Sequence, residues 1–506
     1  MLQEHGIALS TGEISTLAIR FALHVQALHQ SKVEDLRAAL EKDGGYPLHV
    51  DATGEDGRGT LFVAYAGWKN WVLGAWRLPT ENAEAIAPRL QEAVDAFGVP
   101  RAVVRDLGRA ITGAVTSVFE QSLPTSPPIF ACHLHLLRDI GNDLLEIEYG
   151  HLRTLFRNLG VRPKLSALVR DLGRRLGGQV QPLRMEVQHW AEQRDPLPTG
   201  AAGLAIIRAL AQWVLDYPDA GQHRGFPFDR PYLDLYRRAL LVCCISARLQ
   251  SQTLSDPVVD PVLQHLYQIL RPVEDEVAFG RVTRRLQIRC ALFDELRTVL
   301  RLDRPPTAAE SPHCDNCPPE TPATLQQIER SFDVYECALR KRLAAPHLSR
   351  DERQACALIV RHLDRHGRYL WGHVLTSPDG RTVRLAARTN NVLEGFFHTV
   401  KHGERRRSGR KILTQDFEGL PAAAALVRNL TQPDYVAIVC DGKGLGQLAD
   451  QFRVLDDSRP ATTVSPTELT SPETAALPLS DRRLIRQPAF HERLLATSSL
   501  AQAATR

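Results

Sequence analysis

The sequence predicts an α/β protein: a mixed-sheet core, interrupted by a large all-α insertion, with a short helical segment at the N-terminus. Three observations predict it. Apolar runs of strand length follow one another closely at Tyr46–Asp51, Thr60–Tyr65 and Asn70–Trp76, and recur at Ala102–Asp106 and Pro128–Cys132. Segments of helical period separate the later runs, as a crossover to a parallel strand requires. From about 150 to 385 the period is helical almost throughout.

Residues 1–44 read as two helices. Ser10-Thr-Gly-Glu13 and Ser31-Lys-Val-Glu34 both have the spacing of a capping box, and Ile14, Leu17, Phe21, Val25 and Leu28 form one apolar stripe. The run Gly6–Ser15 resembles the turn and recognition helix of a truncated helix-turn-helix, which would bring Thr11, Ser15 and Arg20 near DNA. Residues 45–149 form the first part of the core. Gly67–Asn70 has turn chemistry short enough for a hairpin between the second and third runs. A helix over Glu81–Phe97 turns Ala85, Ile86, Leu90 and Val94 to one face. After the fourth run come a helix over Ala110–Phe119, the fifth run, and a helix from Leu134. Hairpins make the first three strands antiparallel, and a right-handed crossover returns the chain to the same sheet. With the fourth strand parallel beside the first, Asp51 and Asp106 end as neighbours at the carboxyl edge, where open α/β sheets place their sites. Carboxylates brought that close repel unless a cation lies between them, and Mg²⁺ prefers oxygen ligands. This arrangement resembles the ribonuclease-H-like fold.

Residues 150–385 read as the all-α insertion. Its stripes include Leu204, Ile207, Ala211 and Val214, and a short heptad runs from Leu325 through Ile328, Phe332 and Tyr335 to Leu339, too brief for a coiled coil. Residues 386–454 complete the core. Thr389 or Asn390 caps a helix that carries Leu393, Phe396, Phe397 and Val400 inward and Glu394 in its first turn, where the helix dipole favours a carboxylate. Lys401, Arg405, Arg406, Arg407, Arg410 and Lys411 against Glu404 form a basic run suited to phosphate. Tyr435–Gly446 mimics a dinucleotide-binding strand and turn, but its glycines are misplaced and no βαβ unit follows, so it reads as a turn. Residues 455–506 have the composition of a flexible tail. Two sulfur motifs stand apart. Cys132-His-Leu-His135 is either half a zinc site or a buried thiol beside a backbone-bonded histidine, and Cys314-Asp-Asn-Cys317 is either half a zinc site or two loop thiols.

Composition sets the bounds. A chain of 506 residues exceeds one hydrophobic core, and 43% hydrophobic with 24% charged residues describes an ordinary globular protein. The net charge of +4 is too small to imply a nucleic-acid partner by itself, so that case rests on local clusters. No run approaches the ~18 apolar residues of a membrane helix. The N-terminus lacks the pattern of a secretory signal, and nine irregularly spaced cysteines fit reduced thiols. The expected compartment is the cytoplasm.

Val50-Asp-Ala-Thr53, Val104-Arg-Asp106, Cys132-His-Leu-His135 and Thr389-Asn-Asn-Val-Leu-Glu394 together resemble the DDE transposases of bacterial insertion sequences. The Mutator-like group, with a Cys-x-x-His motif after the second acid, is nearest. The likeness covers about 45–145 and 385–430 and departs from the family in its short N-terminal DNA-binding region. It implies that Asp51, Asp106 and Glu394 are catalytic metal ligands for two Mg²⁺ ions, with Mn²⁺ as the alternative. Such ions lie about 3.5–4 Å apart, one activating water or a 3′-hydroxyl and the other stabilising the leaving oxygen. The implied partner is double-stranded DNA, at element ends and target, bound by a homo-oligomer in the bacterial cytoplasm. A catalytically silent DNA-binding protein and a non-catalytic helical scaffold are the alternatives.

Overall fold

The computed structural model describes residues 10–458, apart from 56–57, 193–195, 221–224, 253–255, 303–319, 378–379, 411, 414–418 and 420. Five strands form one mixed sheet: β1 (Pro47–Glu55), β2 (Arg58–Ala66), β3 (Trp71–Leu78), β4 (Ala102–Arg105) and β5 (Ile129–Ala131), in the order β3-β2-β1-β4-β5. The β1–β2 and β2–β3 pairs are antiparallel, whereas β1–β4 and β4–β5 are parallel. Between β2 and β3 the turn at 67–70 uses Asn70 at a φ of 57°, a conformation asparagine tolerates.

Alternation along β2 shows how the sheet is covered. Phe62, Ala64 and Ala66 face a core that includes Ile86, Leu90, Val94 and Phe97 of α3 (Ala83–Phe97). Leu61, Val63 and Tyr65 face the opposite layer, where they meet Leu393, Phe396 and Phe397. That period of two is what a strand buried on both faces requires. The helical run predicted to start at Ala110 begins at Arg109, is α-helical to Val115 as α4, and continues as a wider π turn through Gln121.

Beyond β5, the long helix α5 (His133–Leu159) leaves the sheet and enters a helical body with a core of its own. The division drawn at 149/150 thus falls inside one continuous helix. The body holds α6 (Val161–Leu176), α7 (Arg184–Glu192), α8 (Gly200–Leu215), α9 (Pro231–Gln252), α10 (Asp260–Asp275), α11 (Val277–Val299), α12 (Pro322–Ala344) and α13 (Arg350–His366). The heptad residues of α12 are all buried, in ordinary helix packing. The stretch to 385 is not wholly α-helical: Val374–Thr376 and Val383–Leu385 pair as a small antiparallel sheet, β6 and β7. The periodicity of so short a hairpin is lost beside long helices.

Several local expectations need correction. The capping box at Ser10–Glu13 forms at the head of α1 (Thr11–Ser31). The one expected at Ser31 does not: α2 (Val33–Lys42) starts after Lys32, and the Ser31 hydroxyl donates to the Leu28 carbonyl of the preceding turn. The predicted stripe on α1 is buried at Val25 and Leu28, while Ile14, Leu17 and Phe21 stay exposed. Ser15 and Arg20 are exposed on the same helix, and the residues that would supply a preceding helix lie outside the described ones. Tyr435–Val439 belongs to the helix Pro433–Val439, and a turn with positive φ at Asp441, Gly442 and Gly444 follows. The last helix among the described residues, Leu448–Ser458, crosses the boundary placed at 455, and the tail beyond it lies outside the described residues, as do Cys314 and Cys317. Among the described residues no helix is long and apolar enough to cross a membrane.

Candidate active site

Asp51 lies on β1 and Asp106 just past the end of β4. The parallel register pairs Val50 with Arg105, so the next residue of each chain is one of these two acids. This places them side by side at the carboxyl edge. Asp51 is 5% exposed, and its Oδ1 accepts the Ala52 amide at 2.8 Å. Burial pushes its pKa well above the usual carboxylate range, and the charges of Asp106 and Glu394 add to the rise. Asp106 accepts the Gly108 amide at 3.1 Å, which favours its ionised form. Burial and the nearby Glu81 outweigh that bond and push its pKa up to about 6. Both acids are harder to ionise than usual, chiefly because burial strips them of water.

Glu394 arrives from a distant part of the chain on α14 (Asn391–Ser408), in its first turn. Asn390, the N-cap, does the positioning. Its side chain caps nothing, contrary to expectation. Instead it is wholly buried: Oδ1 accepts from His49 Nδ1 at 2.9 Å, and Nδ2 donates to the Val50 carbonyl at 3.0 Å. Both partners directly precede Asp51, so one carboxamide ties the Glu394 helix to the Asp51 strand. His49 is held neutral by burial, its pKa pushed down to about 4. It sits against Gly67, where a Cβ would come within 2.6 Å of its Nε2.

The Cys-x-x-His motif supplies the second attachment. Cys132 is buried and reduced; its Sγ accepts the Asn390 amide at 3.3 Å, and burial pushes the thiol up to about 12. His135 is not bonded to backbone through Nε2, which stands 3.4 Å from Glu394 Oε1. Arg138 Nη1 lies equally close to the same oxygen. Between the two motif residues, His133 donates its amide to the Arg388 carbonyl at 2.9 Å and its Nε2 to the Leu370 carbonyl at 2.8 Å. Its Nδ1 accepts from Arg388, whose guanidinium also pairs with Glu320. Sequence reasoning missed His49, Arg138 and Arg388. His49 stands two residues before an already suspected acid, and a buried histidine needing a partner was the available signal.

The donor set suits a hard divalent cation: one buried and two half-buried carboxylates at a sheet edge. Glu394 is engaged by His135 and Arg138, and among the described residues no group of three His, Cys, Asp or Glu side chains closes around one metal position. Of the basic run, Lys401 is partly buried and its Nζ donates to the Gly54 carbonyl at 3.3 Å, so it fastens α14 to the end of β1. Arg405, Arg406 and Arg410 are exposed, while the Arg407 side chain and Lys411 lie outside the described residues. Comparison with protein-family models and with curated proteins finds no match for this chain.

Proposed function

We propose that this protein is a DDE-type DNA transposase with a ribonuclease-H-like core, cutting and joining DNA strands by metal-dependent phosphoryl transfer. One observation carries the reading. Asp51, buried on β1, and Asp106, half-buried just past the end of β4, repel each other at one sheet edge, and a buried asparagine fastens a third carboxylate's helix to the Asp51 strand. Structural acids are seldom buried unpaired; acids awaiting a cation are.

In this reading Asp51 and Asp106 hold the metal, and Glu394 joins them by exchanging its contacts with Arg138 and His135. Bound Mg²⁺ would activate the attacking hydroxyl or water and stabilise the leaving oxygen. The chain's own work is positioning. Asn390 and Cys132 fix the start of α14, Lys401 fixes its middle, and the exposed arginines beyond meet the phosphate backbone. Arg138, released from Glu394, would face the same backbone.

The engagement of Glu394 by Arg138 favours one second reading, a catalytically silent DNA-binding protein that keeps the fold. Strand cleavage in Mg²⁺ separates the two. Asp51→Asn and Asp106→Asn should abolish cleavage while leaving DNA binding intact, since each change removes ligand charge and preserves shape. Cleavage retained by either variant would reject the metal assignment.

A further inference from the structure

A second strongly charged surface lies in the helical body, well away from the carboxylates. Arg153 and Arg157 stand on the last turns of α5. Arg162, Lys164, Arg170, Arg174 and Arg175 follow on α6. All seven are exposed, and between 153 and 175 the only acid is Asp171, so the segment carries seven minus one, or +6. The whole chain carries +4, which leaves −2 for everything else. A merely solvated face would intersperse both signs.

Few of these charges are neutralised locally. Arg174 and Arg175 share Asp171, and Arg162 lies over the Tyr217 ring at 5.5 Å. Arg157, Lys164 and Arg170 make no ion pair among the described residues. Val161, Leu165, Leu168, Leu172 and Leu176 are buried on the opposite side of α6, so the helix is fixed with its basic face outward. Beside that face an open groove of about 710 Å³ runs between α6 and the start of α10, with His265 adding a polar group on its far wall.

We propose that the outer face of α6 and the end of α5 bind the phosphate backbone of duplex DNA as a second surface, separate from the carboxylate site. The choice of duplex over other polyanions rests on the transposase reading; the surface itself rests on its charge. At about 1.5 Å per residue, α5 carries the chain about 33 Å from His135 to Arg157, close to one turn of B-form DNA. Asp139, Asp143 and Glu146 lie between, with Asp143 bonded to His362 at 2.9 Å, so two patches are contacted and the stretch between them is not. Contacts of this kind carry no base sequence and lengthen the grip on any duplex.

The test uses the full chain without divalent metal and a 30-base-pair duplex of arbitrary sequence. Arg157→Gln, Lys164→Gln, Arg170→Gln and Arg174→Gln are combined in one variant, and Arg157→Lys, Arg170→Lys and Arg174→Lys in another. Loss of each phosphate contact flattens the slope of log affinity against log salt by about 0.9. The glutamine variant should therefore flatten it by about three to four, and the lysine variant should keep it. An unchanged slope in the glutamine variant overturns the proposal. So does an equal loss in both variants, which would mean packing rather than charge. Polyglutamate binding that competes as well as duplex would overturn DNA as the occupant. Cleavage by the parent in Mg²⁺ is read separately, so the surface and the carboxylate site can fail independently.

Discussion

Asp106 shows at the scale of one residue what burying a carboxylate among other acids costs. Its folded-state pKa, about 6, lies above the 3.8 of a carboxyl exposed in the unfolded chain. Protonation therefore favours the folded state. The destabilising effect is absent below pH 3.8, grows as the pH rises to 6, and is complete above that. Asp106→Asn should stabilise the metal-free protein at pH 7.5 by up to about 3 kcal/mol, less at pH 5.5. Denaturant unfolding in EDTA at both pH values measures it, and no gain at pH 7.5 would mean that the acid is better solvated than its burial implies. Asn390 makes the opposite case. Asn390→Ala leaves His49 Nδ1 and the Val50 carbonyl without their partner in a buried place, a loss of about 2–4 kcal/mol. Cleavage should fall with it, because Glu394 loses its tether to Asp51. A variant that unfolds at the parent's denaturant concentration would show the tether to be dispensable.

At the scale of elements, most of the sheet was legible and the attachments were not. The strand alternation, the turn at 67–70 and the inward residues of α14 follow from periodicity, and the neighbouring acids follow from hairpins plus one crossover. What periodicity cannot give is a side chain used away from its own helix. Asn390 has the composition of a cap, yet the fold uses its amide across the sheet edge. Cys132 and His135 have the spacing of metal ligands, yet they hold Asn390 and Glu394. Ser31 has capping-box spacing, yet the preceding helix claims its hydroxyl. In each case a tertiary partner outcompeted the local one, and such partners are invisible in a single sequence. The end of α14 supplies a prediction at this scale. Neutralising Arg405, Arg406 and Arg407 together should flatten the salt dependence of DNA binding by about two to three. An unchanged slope would make them a solvated face.

At the scale of the whole molecule, His133 and His373 are buried where the sheet meets the helical body, and His49 is buried nearby on β1. His49, His133 and His373 are held neutral by burial, with pKa values pushed down to about 4, 3 and 2. His373 stacks on Phe130 of β5 with ring centroids 4.1 Å apart and meets His133 edge-on. Depressed histidines contribute stability that is present above about pH 6.5 and lost as the pH falls toward their folded values. Each should cost about 1.4 kcal/mol per pH unit over that range. Acid should therefore loosen the junction between the two cores first, and hydrogen exchange at pH 5 should quicken at the starts of α5 and β6 before β2. Uniform quickening would contradict this. The central claim, however, is that Asp51, Asp106 and Glu394 together hold a divalent cation, and Mn²⁺ binding followed by electron paramagnetic resonance tests it most directly. The account predicts that the parent protein binds Mn²⁺, that Mg²⁺ displaces it, and that Asp51→Asn and Asp106→Asn each abolish binding. A parent that binds no Mn²⁺, or both variants binding it as the parent does, would contradict the account.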